Sequence, residues 1–269
     1  MYECNLGVVV MRPMWSGSLA FGLVNIPIRL YSATGEKGID FDFLHKKDLS
    51  PIRYAKVCKA DQEEIPNEDI VRGFEYRKGD YIVVTDEDFE RANVRRTKTI
   101  EIVDFVAQEE IDTVYYEKPY YLEPDRGADK PYALLREALR KSGKVGVAKF
   151  VFKNREHIAV IKPKDDMIVL NQLRFKSEIR EAEGLNLPSA EQVTDREMEM
   201  ALALVSQLTE TFKPEDYKDS YTEELKRVIE EKAQGKTPEV RGEAPEPTPV
   251  IDLMAVLKAS LEQERKKAS

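Results

Sequence analysis

The sequence predicts an α+β protein: a closed or strongly curled sheet first, then helices. Three observations carry this. Met14–Thr34 alternates apolar and polar residues with the period of a strand, but the apolar set moves from Trp15, Leu19 and Phe21 to Val24, Ile26, Ile28 and Leu30. Val145–Lys153, His157–Lys162 and Met167–Lys176 alternate likewise and are joined by short polar connections, as in a meander. After Arg180 the apolar spacing becomes helical.

Taken in order, the phase change near Gly22 predicts one long strand with a bulge at that glycine, the cheapest place for an extra residue. Pro27 cannot donate to a ladder, so the strand should be locally an edge there. Phe41–Cys58 predicts a strand pair around a turn at Asp48-Leu49-Ser50-Pro51, and Glu68–Tyr76 a brief helix. Lys78-Gly79-Asp80 turns the chain into a strand over Tyr81–Thr85, and Asp86–Ala92 reads as one or two helical turns capped by Thr85. Strands follow at Lys98–Ala107 and Thr113–Leu122. Asp129-Lys130-Pro131 starts a helix with apolar stripe Leu134, Leu135, Ala138 and Leu139, and Gly143 ends it. Arg136, Arg140 and Lys141 suit the dipole at its C-terminal end. Thr194-Asp195-Arg196-Glu197 is a capping box leading a helix toward Phe212; a second helix runs from Tyr217 to Gly235. No internal repeat is apparent.

The expected organisation is an extension over 1–11, a sheet domain over 12–188, a helical arm over 189–235, a proline-rich linker over 236–249, and a short helix with a basic end over 250–269. The opening MYECNLGVVV has neither the basic start nor the cleavage site of a signal peptide, and Met11 is the expected natural start. No apolar run reaches the roughly 18 residues of a membrane span. Cys4 and Cys58 cannot build a disulfide framework, which points to a reducing cytoplasm.

Net charge is −8, but unevenly spread. Residues 1–180 carry 30 basic and 30 acidic side chains, and 181–269 carry 12 against 20. Within 130–180 there are 13 basic and 5 acidic residues. Arg91, Arg95, Arg96 and Lys98 form a second cluster, and Lys46, Lys47, Arg53, Lys56 and Lys59 a third. Local cationic clusters on an acidic chain fit one confined polyanion site; the alternative is a solvated mixed surface. Lys149 and Lys153 share one predicted strand face opposite Phe150 and Phe152, and Gln172, Arg174 and Lys176 share another.

Little in the chain suits an active site. It has no phosphate-binding Gly-rich loop, no dinucleotide fingerprint and no nucleophile elbow, and only two histidines. His157 reads as structural and His45 as a surface residue. Asp86-Glu87-Asp88 and Asp165-Asp166 could seat a divalent ion, but turn and helix-start roles explain them better. No catalytic residue, metal or cofactor is assigned. A metal-dependent DNA nuclease and an acidic interaction scaffold without DNA binding remain the rival readings.

The opening W-S-G-S-L-A-F-G-L-V-N-I-P-I-R-L-Y-S-A-T resembles that of the bacterial Ku proteins, DNA-end-binding factors of non-homologous end joining. So do F-D-F-L-H-K-K (41–47), I-R-Y-A-K-V-C (52–58), Y-I-V-V-T-D-E-D-F (81–89), K-T-I-E-I-V-D-F-V (98–106), Y-Y-E-K-P-Y-Y-L-E-P (115–124) and P-V-I-D-L-M-A-V-L-K-A-S-L (249–261), in that family's order. The resemblance implies a Ku-core-like β-barrel with inserted bridging segments and a C-terminal helical arm. It further implies a ring-shaped homodimer that threads onto double-stranded DNA ends without reading bases, without catalysis, in the cytoplasm at the nucleoid. The wall positions it suggests are Arg53, Lys56, Arg95, Arg96, Lys98, Lys149, Lys153, Arg174 and Lys176, all as phosphate contacts. Val250, Ile251, Leu253, Met254 and Leu257 would dock the ATP-dependent DNA ligase of the same pathway or cap the barrel. Many relatives carry Cys-x-x-Cys where this chain has Cys58-Lys59-Ala60-Asp61, a departure that argues against zinc here.

Overall fold

The computed structural model describes residues 11–35, 38–92, 98–153, 155–189, 193–236, 256–260 and 262. The chain divides into two compact units between Glu181 and Ala182. In the first, β1 (Trp15–Phe21), β2 (Val24–Ser32), β5 (Thr99–Ala107), β6 (Tyr116–Pro124), β7 (Lys144–Phe152), β8 (Arg155–Lys164) and β9 (Met167–Leu173) close a barrel in the order β1-β2-β6-β9-β8-β7-β5. Neighbours pair antiparallel except at the seam, where β1 runs parallel to β5.

The phase change in the opening stretch is not a bulge in one strand. Phe21 pairs with Val24, and the two residues between them make a tight hairpin with Gly22 at φ +56° and Leu23 fully exposed. A two-residue turn and a bulge leave the same mark on the alternation, and only strand pairing distinguishes them. Pro27 sits where expected: β6 pairs with β2 only from Ile28 to Ser32. At the seam Gly17 lets the backbones meet, since a Cβ there would lie 2.2 Å from the Lys98 carbonyl oxygen.

Alternate residues of every strand fill the barrel: Leu19, Ile26, Ile28, Leu30, Ile100, Ile102, Tyr120, Leu122, Ala148, Phe150, Ala159, Ile161, Ile168 and Leu170 are buried in one cluster. Burying each large aliphatic contributes about 1.5–3 kcal/mol. The helix α2 (Asp129–Ser142) closes one end with Tyr132, Leu135 and Leu139. Leu134, expected in this stripe, points outward. The Tyr132 hydroxyl donates to the Leu122 carbonyl at 2.6 Å and accepts from the Ile168 N–H at 2.7 Å, pinning the helix to β6 and β9. Burial pushes its phenol pKa up, so the proton stays on. Arg136 and Arg140 have a more specific task than meeting the helix dipole: they donate to the carbonyls of Asp166 and Asp165 in the β8–β9 turn.

Residues 38–92 leave the barrel between β2 and β5, and none of them is buried. The helix expected near 68–76 is instead a short 3-10 turn at Asn67–Asp69 followed by β3 (Arg72–Arg77), which among the described residues pairs only with β4 (Asp80–Val84). Helix α1 (Asp86–Ala92) follows, with Thr85 and Asp88 bonded to each other's backbone. Earlier in the excursion lies a structural repeat that the sequence conceals. His45 N–H bonds Ser50 O, Leu49 N–H bonds His45 O and Ser50 N–H bonds the Asp48 carboxylate, at 2.8, 2.8 and 3.1 Å. Cys58, Gln62 and Glu63 repeat this with Asp61, at 2.9, 3.0 and 3.0 Å. Leu49 and Gln62 are both left-handed, with φ +58° and +65°. The backbone N–H groups of Ser50 and Glu63 hold the Asp48 and Asp61 carboxyls below their usual range. Among the described residues no three His, Cys, Asp or Glu side chains stand close enough to share a metal ion.

In the second unit, α3 (Asp195–Gln207) begins at the predicted capping box, Thr194 and Glu197 each bonding the other's backbone, and stops short of Phe212. Helix α4 (Ser220–Ala233) is capped by Asp219, and its Arg227 bridges Glu224 and Glu231. Met198, Leu202 and Val205 on α3 are exposed. No described helix is long and apolar enough to cross a membrane.

Candidate nucleic-acid interface

The predicted cations fall into three places. Arg53 and Lys56 lie on the excursion, where the Arg53 guanidinium grips Glu64 with two hydrogen bonds of 2.5 and 2.8 Å. That pairing raises the Arg53 pKa and lowers that of Glu64. Lys98 lies beside the β1–β5 seam, exposed, its carbonyl accepting from Ser18 N–H. Lys149 projects from β7 directly across from Glu101, in an outer groove of about 620 Å³ that also holds Glu156. That groove is therefore not cationic. Arg95, Arg96, Val250, Ile251, Leu253 and Met254 lie outside the described residues, and Leu257 belongs to a half-buried position of the helical stretch 256–260.

The third place is the barrel end opposite α2. Strand starts and ends put Lys118, Tyr120, Phe152, Lys153, Arg155 and Gln172 around one mouth. Lys153 does not share the outer face of Lys149 as the alternation predicts. It occupies the β7–β8 turn at φ +51°, and its ammonium lies over the Phe152 ring, 5.4 Å from the centroid. Gln172 also departs from expectation. It continues the interior row of Ile168 and Leu170, is buried, and bonds Glu117 at 3.0 Å, so it cannot share an outward cationic face. Arg174 pairs with Glu117 at 3.6 Å, and Lys176 with Glu181 at 2.9 Å, which raises the Lys176 pKa. Burial, helped by the Glu117 charge, pushes the Tyr120 phenol up, so it remains a donor. Arg155 is held by Glu178, whose carboxyl is kept low first by the Phe175 N–H. Lys118 and Arg155 were not singled out in the sequence; only their place at strand ends beside Lys153 unites them.

The acidic runs have local work. Asp88 bonds the backbone and hydroxyl of Thr85, Asp86 pairs with Arg72, and Asp165 and Asp166 form the β8–β9 turn.

A closed barrel of seven strands, interrupted by a long excursion and carrying three cations at its open mouth, places the chain in a class of β-barrel proteins. Residues 20–200 match the family model of the Ku70/Ku80 beta-barrel domain. The chain is 45% identical to the non-homologous end joining protein Ku of Opitutus terrae, over 94% of this chain and 92% of that one. It is 39% identical to the proteins of the same name from Bacillus subtilis, covering 97% of this chain and 85% of that one, and Archaeoglobus fulgidus, covering 94% and 99%. The chain belongs to the Ku family.

Proposed function

We propose that two copies of this chain close a ring around the terminus of duplex DNA, hold it by its phosphates whatever the bases, and present it for joining. The observation that carries this reading is family membership along nearly the whole chain, under relatives named for end joining. The β3–β4 ribbon supports the pairing of copies. Phe74 and Ile82 stand on one face and Tyr81 and Val83 on the other, all exposed, whereas a lone two-stranded ribbon is marginal in water. A second copy supplies the missing cover. The phosphate contacts are Arg53, Lys56, Arg95, Arg96, Lys98, Lys149, Lys153, Arg174 and Lys176. The ion pairs of Arg53, Arg174 and Lys176 are solvent-exposed, so a phosphate can replace their carboxylates cheaply. The acidic stretch 181–269, with 12 basic against 20 acidic residues, repels DNA and discourages coating along its length. The ligase docks at Val250, Ile251, Leu253, Met254 and Leu257.

Gel shifts with linear and relaxed circular DNA of one sequence, over a salt series, test the reading. Linear DNA should be retained and the circle released, with log affinity falling by about 0.9 per phosphate contact for each decade of salt. Combined Lys98→Glu, Lys153→Glu and Lys176→Glu should weaken binding to every sequence alike and flatten that slope. Equal retention of the sealed circle, or a chain that stays monomeric in light scattering, would overturn it.

A further inference from the structure

The mouth opposite α2 is a cavity of about 540 Å³ whose charged lining is Lys118, Lys153, Arg155 and Glu117. Its floor is aromatic. The Tyr120 and Phe152 rings meet edge-on with centroids 6.3 Å apart, and each carries one ammonium, Lys118 at 6.0 Å from the first and Lys153 at 5.4 Å from the second. Among the described residues neither lysine makes an ion pair. The one carboxylate is already engaged, accepting from the Gln172 amide and facing Arg174. Arg155 is steadied at the rim by Glu178. An incoming dianion would meet both ammonium groups without displacing a carboxylate from either. Ammonium groups act as point charges that do not require a planar partner, and the lining also includes Thr34, while the Tyr120 hydroxyl donates to Gln172 at 3.5 Å.

We propose that this mouth is a receptor for a phosphate monoester, with Lys118 and Lys153 balancing its two charges and Arg155 at the rim. The phosphate is either that of a free metabolite-sized compound or the 5′-terminal phosphate of a nucleic-acid strand. The site needs one barrel only and does not depend on ring closure.

The test uses the full chain, a Lys118→Gln/Lys153→Gln variant, and a Lys162→Gln/Lys164→Gln variant that loses the same charge elsewhere on the barrel. Inorganic phosphate is titrated calorimetrically at constant ionic strength, and blunt duplexes with 5′-phosphate or 5′-hydroxyl ends are compared by competition. Phosphate should bind the wild type and the Lys162/Lys164 variant, and bind the mouth variant about tenfold more weakly. If the natural source is a strand terminus, the wild type prefers the phosphorylated duplex by about tenfold, and the mouth variant loses that preference, its binding of both duplexes being lowered alike by the missing Lys153 contact. If the source is a free compound, inorganic phosphate binding is weakened about tenfold in the mouth variant and no end preference exists. The proposal is overturned if the wild type neither takes up phosphate nor prefers the phosphorylated end, or if the mouth variant behaves as wild type in both. Failure of end binding as such would leave the inorganic phosphate titration unaffected.

Discussion

The barrel and the excursion between its second and third chain segments are both β-structure from one polypeptide, yet they solve burial in opposite ways. In the barrel every strand has two neighbours and turns alternate side chains inward, so Leu19, Ile100 and Leu170 lose all contact with water. In residues 38–92 nothing is buried, although Phe41, Phe43, Tyr54, Phe74 and Tyr81 are as apolar as the barrel's own residues. Closure, rather than composition, makes the difference. A two-stranded ribbon has no inside, so its apolar side chains stay exposed on both faces.

Breaking the barrel should give the largest effect. Leu170→Ala removes a fully buried side chain from the centre of the cluster and should cost about 3 kcal/mol in urea unfolding. Tyr132→Phe keeps the ring but leaves the Leu122 carbonyl and the Ile168 N–H without their shared hydroxyl, and should cost about 1–2 kcal/mol in the same measurement. Phe74→Asp on the ribbon sharpens the contrast: unfolding of the isolated chain should shift by less than about 0.5 kcal/mol. On the proposed pairing of copies, its effect should appear in light scattering instead, as loss of the paired species.

The smallest effect concerns the α3 cap. Hydrogen bonds from the Thr194 hydroxyl and N–H hold the Glu197 carboxyl below its ordinary value of 4.5. A depressed carboxylate contributes above its unfolded pKa and loses that contribution as pH falls through the folded one. Glu197→Gln should therefore lower helical circular dichroism slightly at pH 6, and the difference from wild type should shrink as pH falls through the depressed folded pKa of the native carboxyl.

Much of the barrel was legible from alternation alone. The meander 144–173, the strand after Lys98 and the helix ended by Gly143 lie close to their predicted places because each signal is local. The misreadings share one cause. A turn between Phe21 and Val24 and a bulge at Gly22 shift phase identically, and choosing between them needs the partner strand. Leu134 fits a helical stripe, but the barrel end accepts the Tyr132–Leu135–Leu139 face instead. The two matching turns at His45 and Cys58 share only the lysine after the first residue, the aspartate and a later isoleucine, too little to see without their hydrogen bonds. Of the candidate site, the clusters could be counted but not assembled. Lys149 faces Glu101 across a ladder, Gln172 turns inward, and Lys118 joins Lys153 from 35 positions away.

Order along the chain determined most of the barrel strands, the switch from sheet to helix after Arg180, and the uneven placing of charge, because each follows from near neighbours and simple periods. Which cations meet was decided only when β6, β9, β8 and β7 paired and gathered strand ends remote in sequence at one mouth. Coulombic attraction depends on distance through space, and that distance did not exist until these strands had paired.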